Sequence, residues 1–271
     1  MDYKSLFRLR NYQHFFHRIK PFPAGVRKDP LDYSEFKDLN DLIEYLEIKK
    51  YDKLVVVASG PSAAKLPKEQ GNIYFSCNDS LQLVQDLNHV YMLYDMFYLI
   101  RYLKTFKGGP GWKGSIFWYN FNNPHSLKIY KITRKYVTQY SRRKREFLIT
   151  NRSAEDLQPL YGEVETLLQE VFDYRHYRVN SGFNTLVFAA LLAYLADKPL
   201  EVFGLDMGVG GDAYFDKKSP LGRSVKSEKN RKLVAVFLDK LYSSKVDTKN
   251  FSNFKGHILD TPPGRKQPKG E

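Results

Sequence analysis

The stretch Leu54-Val55-Val56-Val57-Ala58-Ser59-Gly60-Pro61-Ser62 constrains this chain more than any other. A run of apolar, largely β-branched residues reads as a short strand buried on both faces. Gly60-Pro61 stops it abruptly, and Ser62 stands where the N-cap of a helix over 63–69 would stand. The first N–H groups of a helix have no internal acceptor, so such a turn is suited to an anion, commonly a phosphate. A second strand over 72–76 runs into Asn78-Asp79, and a third over 89–94 into Asp95. Polar side chains at the ends of successive buried strands mark the ligand-binding edge of a doubly wound α/β domain. The dinucleotide spacing GxGxxG is missing, so a dinucleotide is not the expected ligand.

The alternation continues. Helices are expected over 35–50, 80–87 and 96–107, and a fourth strand over 115–119. A helix over 183–196 is opened by Asn180-Ser181-Gly182, a strand over 200–203 ends in Gly204-Leu205-Asp206, and a last helix spans 225–242. This order predicts a mostly parallel sheet. The start of helix 183–196 offers a second site for an anion or a hydroxyl. Asp206, just past a strand end, is suited to accepting hydrogen bonds from a ribose or sugar hydroxyl.

With 271 residues the chain suffices for one large domain, or one domain with a lid. Its formal net charge of +13 calls for a negatively charged partner. The charge is concentrated. Residues 3–28 hold Lys4, Arg8, Arg10, Arg18, Lys20, Arg27 and Lys28 among aromatic residues, with no acid. Residues 128–145 hold Lys128, Lys131, Arg134, Lys135 and Arg142 to Arg145 among tyrosines, again with no acid. Such segments fit an anionic membrane face, a phosphorylated glycolipid or single-stranded nucleic acid; a solvated surface helix has the same composition. No stretch reaches the roughly 18–20 apolar residues of a membrane span, and residues following Met1 lack a signal-peptide core. A protein that is soluble or peripheral, and cytoplasmic, is expected. The single cysteine, Cys77, excludes an internal disulfide and reads as a small buried hydrophobe rather than a nucleophile. The six histidines show no metal-ligand spacing.

Taken in order, Ser59-Gly60-Pro61-Ser62, Cys77-Asn78, Asn180-Ser181-Gly182, Gly204-Leu205-Asp206 and Tyr214 resemble the CMP-sialic-acid-dependent sialyltransferases of bacterial lipo-oligosaccharides. They are equally similar to the lipopolysaccharide-core transferases that add Kdo. Asp95, Tyr214-Phe215-Asp216 and Asn250-Phe251-Ser252 strengthen the likeness to the Kdo type. The resemblance implies a modified Rossmann glycosyltransferase fold with a small basic lid. The transferase domain would span 51–260, with its lid at about 121–178; composition adds an N-terminal basic and aromatic helical extension over 1–50 and a tail over 261–271 too polar and rich in proline and glycine to pack, expected to be disordered.

The implied donor is a CMP-activated keto sugar acid, with no cofactor and no metal. Gly60, Pro61, Ser62, Asn78, Ser181 and Gly182 would contact the nucleotide, Asp206 the ribose or cytosine edge, and Tyr214 the leaving phosphate. Those sialyltransferases place a histidine base ahead of their last helix, where this chain reads Pro220-Leu221-Gly222-Arg223-Ser224-Val225-Lys226. A second tyrosine of the family is here Gly208. A carboxylate is the natural replacement base, Asp95 first and Asp79 second, with His257 behind them; a retaining mechanism stays open. Arg223, Lys226 or Lys229 would neutralise the departing phosphate. The implied partners are the nucleotide-sugar donor, a lipopolysaccharide or glycolipid acceptor, and the anionic inner-membrane face through 3–28 and 128–145. Nucleic acid is not expected, and homo-oligomerisation is left open. The alternatives are a sialyltransferase on the same fold or a non-catalytic nucleotide- or nucleic-acid-binding Rossmann protein. A pterin-pyrophosphokinase-like reaction is disfavoured by the lack of a paired-aspartate Mg²⁺ site.

Overall fold

The computed structural model describes residues 38–94, 98, 101–102, 108–119, 146–150, 159–175, 179–211, 213–216 and 227–256. Among them, β1 (Leu54–Val57), β2 (Ile73–Cys77), β3 (His89–Leu93), β4 (Trp112–Tyr119), β5 (Glu146–Thr150), β6 (Leu200–Phe203) and β7 (Thr248–Asn250) form one sheet. The strand order is β5-β4-β3-β2-β1-β6-β7, and every neighbouring pair is parallel. From β1 the chain builds outward to β5 on one side, then crosses back to lay β6 and β7 on the other. The expected doubly wound, Rossmann-like α/β architecture is therefore present, with its topological switch point between β1 and β6.

Parallel sheets are covered on both faces, which is why β1 reads as an unbroken apolar run; all four of its residues are buried. One face carries the larger core. There Leu54, Val56, Phe75, Met92, Ile116 and Val202 pack beneath α1 (Leu39–Tyr45), α2 (Pro159–Phe172), α3 (Ser181–Ala196) and α4 (Glu228–Tyr242). On the other face Val55, Val57, Tyr74 and Phe203 meet Ala63, Val84 and Leu87 from short helical turns. Helix α3 is apolar on nearly every side and buried along almost its whole length, as a central core helix must be. Each of its buried Leu, Val and Phe side chains contributes about 1.5–3 kcal/mol relative to exposure.

Several elements differ from the sequence expectation. The helix expected over 63–69 is a 3₁₀ turn over Pro61–Lys65, because Pro67 disfavours the helical conformation at Leu66, which is extended (ψ 121°). The helix expected over 80–87 reduces to a helical turn over residues 78–84. Strands β5 and β7 and helix α2 were not anticipated. α1 lies within the segment read as an N-terminal extension, yet Leu39, Leu42 and Ile43 are buried in the main core. Its first residue is fastened to α2, the Leu39 N–H donating to Glu163 Oε2 at 2.7 Å. Strand β5 and helix α2 fall inside the segment read as a lid; β5 pairs with β4 and α2 packs in the core. The basic segments 3–28 and 128–145, and the tail 261–271, lie outside the described residues.

Candidate functional site at the switch point

The carboxyl ends of β1 and β6 are held together beyond the strands themselves. Ala58 N–H donates to Phe203 O at 2.9 Å and Gly60 N–H to Gly204 O at 2.8 Å. Gly60 is needed for this approach: a Cβ there would lie 2.5 Å from Asp206 Oδ2. Gly204 has a φ of +76°, where glycine is the residue of choice.

The turn after β1 does bind an anion, and the anion is the chain's own. Asp206 Oδ2 accepts the Ser62 N–H at 2.7 Å, and Oδ1 accepts the Ser62 hydroxyl at 2.6 Å and the Asn253 N–H at 2.6 Å. Ser62 Oγ in turn accepts the Gly204 N–H at 2.9 Å. Both side chains are almost fully buried. Burial pushes the Asp206 carboxyl above its ordinary range, against the opposing pull of the Ser62 and Asn253 hydrogen bonds and the Lys65 charge. Ser62 and Asp206 were expected to meet a nucleotide. Within the chain they form a strut joining the β1 turn, the end of β6 and the segment after β7.

Around this strut opens a cavity of about 60 Å³. It is lined by Ser59, Gly60, Asn78, Ser181, Gly182 and Tyr214, together with Asp206 and its neighbours. The expected residues Gly60, Asn78, Ser181, Gly182 and Tyr214 therefore come together, with Pro61 on the adjoining turn. Asn180 caps α3, its Oδ1 accepting the Phe183 N–H at 2.9 Å. The N–H groups of Ser181 and Gly182, in the first helical turn, have no intrahelical acceptor, and the helix dipole adds partial positive charge there. Gly182 lets α3 sit directly on the end of β1, since a Cβ would lie 2.6 Å from Ala58 Cβ. Asn78 follows β2 with a φ of +53°, a conformation that asparagine tolerates better than most residues. The segment carrying Tyr214 crosses the end of β1, with the Phe215 N–H donating to Ser59 O at 3.0 Å.

Asp79 is placed differently. It points into a second, larger cleft beside the first, where Arg101 forms an ion pair with Oδ1 and the Tyr98 hydroxyl donates to Oδ2 at 3.1 Å. Asp95, Arg223, Lys226 and His257 lie outside the described residues. Cys77 is buried against the site, and burial pushes its thiol up to about 12, so it carries no thiolate at neutral pH. Among the described residues, no group of His, Cys, Asp and Glu converges as a metal site would require, and no helix is long and apolar enough to cross a membrane.

Three residues given no role at the site by the sequence analysis support it. Asn253 donates its N–H to Asp206, and Ser252 Oγ accepts the Leu205 N–H at 3.0 Å. Buried Arg231 donates from Nε to Met207 O at 3.1 Å, pinning the loop after β6. Ser252 lay within Asn250-Phe251-Ser252, the one signal that pointed to this corner.

The arrangement is a glycine-lined crevice at the switch point of a parallel sheet. A helix N-terminus, an asparagine and a tyrosine converge on a space of phosphoryl size. Comparison of the chain with protein-family models, with curated proteins and with solved structures finds no match to any of them.

Proposed function

We propose that this protein is a glycosyltransferase that moves Kdo, or a related sialic-acid-like keto sugar acid, from its CMP-activated donor to a lipopolysaccharide or lipo-oligosaccharide core. One observation carries the reading. Gly60, Asn78, Ser181-Gly182 and Tyr214, the segments on which the resemblance rests, line one cavity although they are far apart in the chain. In this reading the donor phosphate lies at the N-terminus of α3, where the first N–H groups and the helix dipole favour an anion. Tyr214 donates to the same phosphate. Asn78 reads a hydroxyl or the base of the nucleoside, which extends out of the small cavity.

An acceptor hydroxyl attacks the anomeric carbon, the bond to the phosphate oxygen breaks, and CMP leaves with the electron pair. The hydroxyl proton passes to a carboxylate base, for which Asp95, shortly after β3, is the first candidate. Asp79 ranks behind it because Arg101 and Tyr98 already engage both of its oxygens. Preorganised donors at the phosphate and a held acceptor supply most of the acceleration. Arg223 and Lys226 assist the leaving group, and the basic segments 3–28 and 128–145 hold the enzyme on the anionic cytoplasmic face of the membrane that carries its acceptor.

Calorimetric titration with CMP, UMP, GMP and AMP tests the reading. Selective binding of CMP is expected, followed by CMP release from CMP-Kdo or CMP-sialic acid that Asp95→Asn abolishes. Equal binding of the four nucleotides, or none, would overturn it.

A further inference from the structure

The larger cleft, of about 390 Å³, runs from Asn78 at the carboxyl edge of the sheet down over β3 to Gly108 and Gly109, just ahead of β4. Its size falls within the roughly 300–1,000 Å³ typical of small-molecule sites, whereas the switch-point cavity of about 60 Å³ cannot hold a sugar ring. Asn78 lines both, so the cleft adjoins the proposed reaction centre.

Its chemistry is unlike the rest of this basic chain. The Gln82, Gln85 and Asp86 side chains are exposed along one wall and, among the described residues, make no hydrogen bond. Asp79 and the Arg101 guanidinium neutralise one another at the mouth. Among the described lining residues, the remaining formal charge is the Asp86 carboxylate. A phosphate would meet net negative charge here, and an alkyl chain would strip water from two amides and a carboxylate. A neutral, hydroxyl-rich group suits the wall: glutamine side chains donate and accept, carboxylates accept, and sugar hydroxyls do both.

We propose that this cleft binds a neutral sugar ring, and that in the transferase it holds the uncharged sugar of the acceptor next to the reacting hydroxyl. The second clause rests on the transferase reading; sugar binding itself does not.

Saturation-transfer NMR with millimolar methyl α-glucoside, methyl α-galactoside and a methyl heptoside, against glucose 6-phosphate, tests it. At least one neutral glycoside should bind, and more strongly than glucose 6-phosphate. The double variant Gln82→Ala/Gln85→Ala should weaken that binding about ten-fold, as expected for two lost hydrogen bonds of ordinary strength. Both positions are exposed, so its melting temperature and CMP affinity should stay at wild-type values. No binding of any glycoside, preference for glucose 6-phosphate, or unchanged sugar affinity in the double variant would each overturn the inference. Failure of nucleotide binding with sugar binding intact would instead count against the transferase assignment alone.

Discussion

Replacing Asp206 is the most demanding test of how the crevice is built. In Asp206→Ala, two backbone N–H groups, of Ser62 and Asn253, and the Ser62 hydroxyl lose their acceptor in a site that is almost fully buried. Each buried donor left without a partner costs about 1–3 kcal/mol. The hydroxyl can turn toward another acceptor, so the two N–H groups set the scale, and a loss of about 3–5 kcal/mol is expected. Against a total stability of roughly 5–15 kcal/mol, that lowers the melting temperature by on the order of 10 °C for a domain of this size. Asp206→Asn should fall between the variant and wild type, because one amide oxygen remains to accept while the NH₂ group faces a donor. Urea unfolding should show a lower midpoint with an unchanged slope, and the exposed Glu170→Ala should serve as a neutral control. The carboxyl is raised in the folded state, so the protein binds this proton more readily folded than unfolded. The stability linked to that proton is complete below the ordinary carboxylate range and is lost as pH rises through the raised value. The difference in unfolding free energy between wild type and Asp206→Asn should therefore shrink from pH 4 toward neutrality. An Asp206→Ala protein as stable as the Glu170→Ala control would refute the strut.

Gly182→Ala should destabilise the domain by about 1–3 kcal/mol, although alanine is the better helix former. The new Cβ would lie 2.6 Å from Ala58 Cβ, and both atoms are fixed to backbone that must move; thermal unfolding, with weakened CMP binding, reads the effect. Asn180→Ala removes the side-chain cap of α3 and should cost about 1 kcal/mol, measurable as a shift in the urea midpoint. Cys77 should resist a thiol reagent at pH 8 in the native protein and react promptly in denaturant, because its thiol is buried and titrates near 12; native labelling at the rate of free cysteine would contradict that burial.

The parts of this fold that could be read from the chain are those whose side chains report burial on both faces. β1, at the centre of a parallel sheet, is an unbroken apolar run because both of its faces are covered; β6 departs from that pattern only at Glu201, whose carboxylate pairs with Lys53 at 2.9 Å. β7 is the opposite case. Thr248-Lys249-Asn250 forms an edge strand with one neighbour, and its polar residues are what an exposed edge requires; no hydrophobic signal announces it. β5 follows directly on the basic tract, whose charge dominates the composition there. Helix α2 did carry a legible pattern, with Leu160, Val164, Leu168 and Phe172 recurring every four residues and all buried.

The site divides along the same line. That Gly60, Asn78, Ser181, Gly182 and Tyr214 gather at one edge follows from each standing at the end of a buried strand, at the start of a buried helix or on a loop beyond one. What each does there could not be inferred from local pattern. A strand-Gly-Pro-Ser turn offers the same N–H groups whether the anion they meet is a phosphate or a carboxylate. Here the carboxylate arrives from a residue 144 positions away. This pairing is a property of the assembled sheet, in which β6 returns to lie beside β1. It also has a consequence for any ligand. In the proposed transferase, with the first turn already satisfied, the donor phosphate would look to α3, away from the Asp206 carboxylate and toward Ser181 and Tyr214. On that proposal, the crevice would orient its donor by having filled the β1 turn with its own carboxylate.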